Sequence, residues 1–166
     1  FFLGYLAQNV LIFRKKEMNY LIAFMLCFAS LSLAAQDESS LNWFTNLEEA
    51  QKVSKKEKKP ILVYFTGSDW CAPCKMLKED FFASNEFKKK ATEVVLVLID
   101  YPRRIDIITQ AQLEYNKTII EKYNPEKTFP KLLGLNFRGK ELGEISGYSP
   151  LRDTTHHFKF LEKISL

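Results

Sequence analysis

Cys71 and Cys74 stand two residues apart in the stretch ILVYFTGSDWCAPCKML, residues 61–77, where an apolar run gives way to a charged, helix-like run. Thiols at this spacing serve three chemistries: a metal clip, a covalent staple or a reversible redox pair. A structural zinc site needs four ligands, commonly two such pairs or one pair plus spaced histidines. The chain has no second pair, and its two histidines, His156 and His157, are adjacent. On a helix their side chains diverge by about 100°. One is expected at the surface and the other half-buried, and no metal site is expected. A disulfide across two residues closes a very small loop, so it constrains the unfolded chain little and stabilises little.

The redox reading accounts for more of the surroundings. Cys71 falls where a strand should end and a helix begin. Unpaired N–H groups and the positive end of the helix dipole favour a thiolate there. A lowered thiol pKa makes Cys71 both a nucleophile and a leaving group near neutral pH. Cys74, one turn on, is placed to attack a mixed disulfide. Pro73 between them suits a first helical turn, where no N–H bond is needed. Trp70 offers an apolar shelf beside the sulfur, with plain core packing as its alternative. This chemistry needs the sulfur of Cys71 to be open to incoming disulfides.

The elements that must hold this pair follow from pattern. LNWFTN suggests a short first strand ending at Asn46 as a helix cap. Leu47 to Lys59 reads as an amphipathic helix with Leu47, Ala50 and Val53 on one face and a lysine-rich end. Those lysines read as a solvated face rather than a nucleic-acid patch. Ile61 to Thr66 is a buried strand, and Gly67 and Ser68 turn the chain. A helix is predicted from Cys71 to Lys90 with a break near Ser84–Asn85. Glu93 to Asp100 forms a second buried strand, which implies a right-handed parallel crossover. Arg103 to Tyr123 is predicted mostly helical. KLLGLNF and KELGEIS are two strands around a hairpin-type turn at NFRGK. Ser149 as cap and Pro150 at the first position open a last helix through Ile164. The order β-α-β-α-β-α-β-β-α predicts an α/β domain, a central mixed sheet with helices on both faces.

Of the 166 residues 46% are hydrophobic, including 14 phenylalanines, so an aromatic-rich core is expected. The formal charge of +4 includes Arg14, Lys15, Lys16 and Glu17, leaving 21 basic and 19 acidic residues beyond residue 35. That near-neutral remainder speaks against nucleic-acid binding. The basic patch Arg14–Lys16, the apolar run Tyr20–Leu33 and the small residues Ser32 and Ala34 have the order of an export signal. Cleavage is expected after Ala34 or Ala35, giving a targeting segment over 1–35 and a domain over 36–166. A retained membrane anchor is the alternative, since the run lies at the short edge of a membrane span. The chain begins with Phe1, and a second apolar run fills residues 1–13, so residues 1–17 fit a mis-assigned start or a fragment. Removing the signal would also remove Cys27.

WCAPCK behind the ILVYF strand resembles the active site of the thioredoxin family. TFP, ending at Pro130 and 56 residues past Cys74, resembles that family's cis-proline loop, and Gly147 in EISGY is a third match. The resemblance covers residues 41–164. FTGSDWCAPCKMLKEDFFASNEF, with Phe82, Ser84, Asn85 and Phe87, is similar to exported members such as the DsbD C-terminal domain. It implies a thioredoxin fold, a cis Pro130 facing the cysteines and a Phe129 backbone offered to a substrate strand. Trp70, Phe129 and Pro130 would then shape the substrate groove.

Two departures stand out. The family's buried aspartate before the active site, a proton carrier for the second cysteine, aligns with Tyr64, a poor base at neutral pH. Asp69 is open to two readings, proton carrier or turn cap, and Lys75 to a solvated residue or a weak electrostatic partner of Cys71. The 30 positions from Asp100 to Pro130 exceed the usual thioredoxin interval. The added residues suit a longer solvated helix, or else place Arg103 and Arg104 at a partner surface.

The expected function is a thiol–disulfide oxidoreductase of the periplasm or cell envelope, with Cys71 attacking and Cys74 resolving. It needs no cofactor. Its partners would be protein thiols and disulfides, with a membrane reductase of the DsbD type as electron source. A monomer is expected. Ala72–Pro73 between the cysteines is close to the glycine–proline of reductants and lacks the histidine of strong oxidants, which favours reduction or isomerisation over oxidation. The alternatives are a dedicated cytochrome c maturation reductase, a redox-inert peptide-binding module, or a metal-handling chaperone using both thiolates.

Overall fold

A computed structural model of the chain describes residues 41–165. The expected targeting segment, 1–35, lies outside the described residues. The chain runs β1 (Trp43–Phe44), α1 (Leu47–Glu57), β2 (Ile61–Thr66) and α2 (Ala72–Leu77), which continues as a π turn over Lys78–Phe82. Then follow α3 (Asn85–Lys90), β3 (Val95–Asp100), α4 (Gln110–Tyr123), β4 (Lys131–Leu135), β5 (Glu141–Ser146) and α5 (Thr155–Ser165). The five strands lie in the order β1-β3-β2-β4-β5, with β1, β3 and β2 parallel and β4 and β5 antiparallel. The predicted element order and the mixed thioredoxin sheet are both present. Among the described residues no helix is long and apolar enough to cross a membrane.

Every residue of β2 is buried, and alternate residues serve opposite faces of the sheet. Ile61, Val63 and Phe65 join Val97, Ile99, Leu133 and Leu135 in one core, covered by Leu47 and Ala50 of α1 and Ile119 and Ile120 of α4. Leu62 and Tyr64 join Leu96 and Leu132 in the other, covered by Leu77, Phe81 and Phe87 and by Phe160, Leu161 and Ile164 of α5. Helices therefore occupy both faces. The second core is aromatic: Phe81, Phe82 and Phe87 pack with ring centroids 4.7–5.0 Å apart. Neighbouring residues of an α-helix point about 100° apart, and the wider π turn coincides with the burial of both Phe81 and Phe82. Full burial of each ring contributes about 1.5–3 kcal/mol.

The caps explain several boundaries. Asn46 accepts the Glu49 N–H at 2.9 Å and opens α1 as expected. Ser84 accepts the Phe87 N–H at 3.0 Å, which breaks the long helix where the sequence predicted. Two expectations are corrected. Residues 103–109 are not helical; α4 starts at Gln110 because Thr109 caps it through the Gln112 N–H. The last helix starts at Thr155, not at Ser149–Pro150. Ser and Pro in sequence suit a turn as well as a helix start, and here Ser149 accepts the Arg152 N–H at 2.9 Å. Arg152 takes a left-handed conformation (φ 57°), and its guanidinium binds Asp80.

Candidate active site

The strand β2 ends at Thr66, and the chain turns sharply on Gly67, whose carbonyl accepts the N–H groups of Cys71 (2.8 Å) and Trp70 (3.2 Å). A Cβ at Gly67 would lie 2.3 Å from the Trp70 indole, so a glycine is required where the indole folds back over the turn. Cys71 is the N-cap of α2, and its Sγ accepts the Cys74 N–H at 3.2 Å. Cys71 and Cys74 are joined as a disulfide. Cys71 is only 3% exposed, which departs from the expectation of an open sulfur. Cys71 lies with Cys74 in the core cluster against which the aromatic rim of Trp70 and Phe129 packs. Beside them Ala72 is exposed and Pro73 half-buried.

That rim is continuous. Trp70 and Phe129 meet edge to face at 5.5 Å, and Phe129 stacks on Tyr101 at 6.1 Å. The Trp70 Nε1–H donates to the Tyr101 carbonyl at 2.8 Å. Arg103 lies 4.7 Å above the Trp70 ring. Trp70 is thus half-buried and serves both readings, a shelf whose underside is packed. Tyr101 was not singled out from sequence. It follows a buried strand, and nothing in its type separates it from any other strand-end aromatic.

On the opposite side the Phe129–Pro130 peptide is cis, as the resemblance implied. The Pro130 carbonyl accepts the Gly147 N–H at 2.7 Å. Gly147 has φ +80°, a conformation that glycine adopts without penalty. Asn124, fully buried at the end of α4, clamps the loop: its Nδ2 donates to the Thr128 carbonyl (2.9 Å) and its Oδ1 accepts the Thr128 N–H (3.1 Å). Sequence reasoning missed this residue, because asparagine after a helix reads as a generic end signal.

Three groups bear on protons and charge. Tyr64 occupies the position of the family's buried aspartate and donates to the Cys74 carbonyl at 3.0 Å. Burial pushes its pKa up to about 12, with a further rise from the charge of Asp100. Tyr64 is therefore a fixed donor and not a base. Asp69 is a loop cap: its carboxylate accepts the N–H groups of Arg103 (3.1 Å) and Arg104 (3.0 Å). Desolvation pulls its pKa upward, but those N–H donors prevail and hold it below the usual carboxylate range. Lys75 Nζ donates to the Asp69 carbonyl at 2.9 Å. Asp100, also missed from sequence, is buried at the end of β3 and accepts Ser68 N–H (2.9 Å) and Oγ–H (2.6 Å), bracing the turn that precedes the cysteines.

His157 is 5% exposed, more deeply buried than expected, between Phe81 and Tyr148, while His156 is exposed. Among the described residues no three His, Cys, Asp or Glu side chains gather as a metal-ligand set.

Residues 42–130 match a family described as thioredoxin-like. The disulfide bond reductase DsbH of Chlamydia pneumoniae is 32% identical over 113 residues, 68% of this chain and 66% of that protein. The thioredoxin-related protein DsbJ of the same organism is 32% identical over 100 residues, 58% of this chain and 29% of its own length. The chain thus spans less than two thirds of either curated relative. A solved structure of a DsbH oxidoreductase superposes with a TM-score of 0.66 at 27% identity, covering 80% of this chain and 91% of that one.

Proposed function

This chain belongs to the thioredoxin-like family, and on that premise we propose that it is a thiol–disulfide oxidoreductase that reduces or exchanges disulfides in proteins. The observation that carries the reading is the position of Cys71. It caps a helix, receives the Cys74 N–H on its sulfur, and lies in one packed cluster with Trp70 and Phe129. An N–H aimed at sulfur favours the thiolate over the thiol.

In the reduced protein the Cys71 thiolate attacks one sulfur of a substrate disulfide. A Cys71–substrate disulfide forms as the substrate's S–S bond breaks, and the first substrate sulfur leaves as a thiolate. Cys74, once deprotonated, attacks the Cys71 Sγ, forming the Cys71–Cys74 disulfide and expelling the second substrate thiolate. Two electrons pass to the substrate, and both of its thiolates take protons from solvent. The Phe129 backbone, ahead of Pro130, would pair with the substrate strand during attack. Trp70 and Phe129 must give way enough to admit the incoming sulfur.

Regeneration requires a dithiol donor, for which a membrane thiol reductase of the DsbD type is our choice. The basic and apolar run at 14–33 supports a place in the periplasm or cell envelope, and the domain would act as a monomer. Export is tested by sequencing the mature N-terminus in cells, which should start at Ala35 or Gln36.

The activity is tested by insulin reduction with dithiothreitol. Acceleration by the native chain and its loss in Cys71→Ser are expected, whereas no acceleration by the native chain would overturn the assignment. In the reduced protein Cys71 is expected to alkylate first, and Cys74→Ala should trap substrates through Cys71. A reductase or isomerase-supporting role requires a potential below about −150 mV.

A further inference from the structure

The segment between β3 and α4 places a cation over Trp70, the residue before Cys71, and leaves it without an ion-pair partner among the described residues. Asp69, two residues before Cys71, spends its carboxylate on the backbone N–H groups of Arg103 and Arg104. This fixes where the Arg103 side chain departs. Its guanidinium then lies 4.7 Å above the Trp70 ring, and Trp70 is itself held by the Tyr101 carbonyl and the Phe129 ring. The neighbouring cations are occupied. Arg104 pairs with Asp106, and Lys75 is bonded to the Asp69 carbonyl. Asp69 attracts the Arg103 guanidinium only at longer range, and no described carboxylate forms an ion pair with it. A guanidinium placed over an aromatic ring still presents an N–H fork that matches a carboxylate.

We propose that Arg103 is a specificity-determining residue that selects protein disulfides with an Asp or Glu carboxylate beside the reacting cysteine. The inference rests on the oxidoreductase reading and extends it to substrate class. A substrate strand lying along Phe129 passes Trp70, and an acidic side chain flanking its cysteine meets Arg103 there. The pair forms in a site already shielded on one side by the indole, which strengthens it relative to an open surface pair. Cation and shelf are pre-positioned, so little side-chain freedom is lost on binding.

The test uses two fluorogenic disulfide peptides that differ only in Glu or Gln next to the cysteine. The native chain is expected to reduce the Glu peptide with about three- to tenfold higher kcat/KM, and added salt should shrink that ratio. Arg103→Gln should bring the ratio to one, and Arg103→Lys should restore part of it. Arg138, stacked on Phe137 in the β4–β5 turn, provides the control: Arg138→Gln should leave the ratio intact. Equal rates for the two peptides in the native chain, or a preference that survives Arg103→Gln, overturn the proposal. Failure to reduce either peptide would instead overturn the oxidoreductase reading beneath it.

Discussion

The Tyr64 hydroxyl donates a 3.0 Å hydrogen bond to the backbone carbonyl of Cys74. A buried phenol thus stands where the family carries a titrating carboxylate, and it fixes the inner turn of the active-site helix. With a pKa of about 12 it stays protonated throughout the working range, so the phenol does not take the Cys74 proton. Tyr64→Phe removes one of two donors to that carbonyl, which keeps the Lys78 N–H, at an expected cost of about 0.5–1.5 kcal/mol in chemical denaturation. Insulin reduction should keep the same pH dependence in the variant. A change in its shape would mean that the phenol takes part in proton transfer.

Asp69 ties the segment around Arg103 to the turn before Cys71. Its folded-state pKa is depressed, so its contribution is present above the unfolded value of about 3.9 and is lost as pH falls through the folded value. The stability difference between the native chain and Asp69→Ala should therefore be constant from pH 8 to about 5 and should vanish in more acidic solution. At neutral pH, trypsin should cut after Arg103 and Arg104 faster in Asp69→Ala, because the untethered backbone opens locally more often. Equal cleavage rates would show that the carboxylate does not hold the segment.

The contrast between these two residues shows where sequence suffices. The buried runs of β2 and β3, the cap Asn46 and the helix break near Ser84–Asn85 were legible, because local pattern and tertiary structure ask for the same thing there, while the cis peptide before Pro130 was implied by the family resemblance alone. The segment 103–109 was not. Its composition permits helix, and the competing signal is a carboxylate 34 residues earlier that claims its backbone N–H groups. Likewise Ser149–Pro150 has a helix-start signature, yet Arg152 is drawn to Asp80, 72 residues away. Cys71 and Cys74 were found by spacing, and Trp70 by adjacency. Tyr101, Asp100 and Asn124 were not, because their roles arise from long-range partners that no local pattern encodes.

Gly67 gives a steric test of the rim. A methyl group there would meet Trp70 Cε2 at 2.3 Å and Nε1 at 2.5 Å, so Gly67→Ala must push the indole off its place. Overpacking of this kind costs about 1–3 kcal/mol. The Trp70 Nε1 bond to Tyr101 should break, and Trp70 emission should shift to the red as the ring enters water. Trp43 also emits, so the shift is best read as a difference in a Trp43→Phe background. Unchanged emission would show that the turn relaxes and leaves the rim intact.

Asn124 holds the substrate loop without touching the cysteines. Asn124 is itself fully buried, and its two bonds reach the half-buried Thr128. Asn124→Ala leaves the N–H and carbonyl of the half-buried Thr128 without this partner, at about 0.5–1.5 kcal/mol each. The loop carries Phe129 and Pro130, so loosening it should act on substrate alignment more than on the sulfur chemistry. In peptide-disulfide reduction, KM is expected to rise several-fold while kcat falls less, and the Cys71–Cys74 potential should stay within about 10 mV of the native value. A shifted potential with KM unchanged would place the effect of Asn124 on the dithiol itself and would remove the loop from substrate binding.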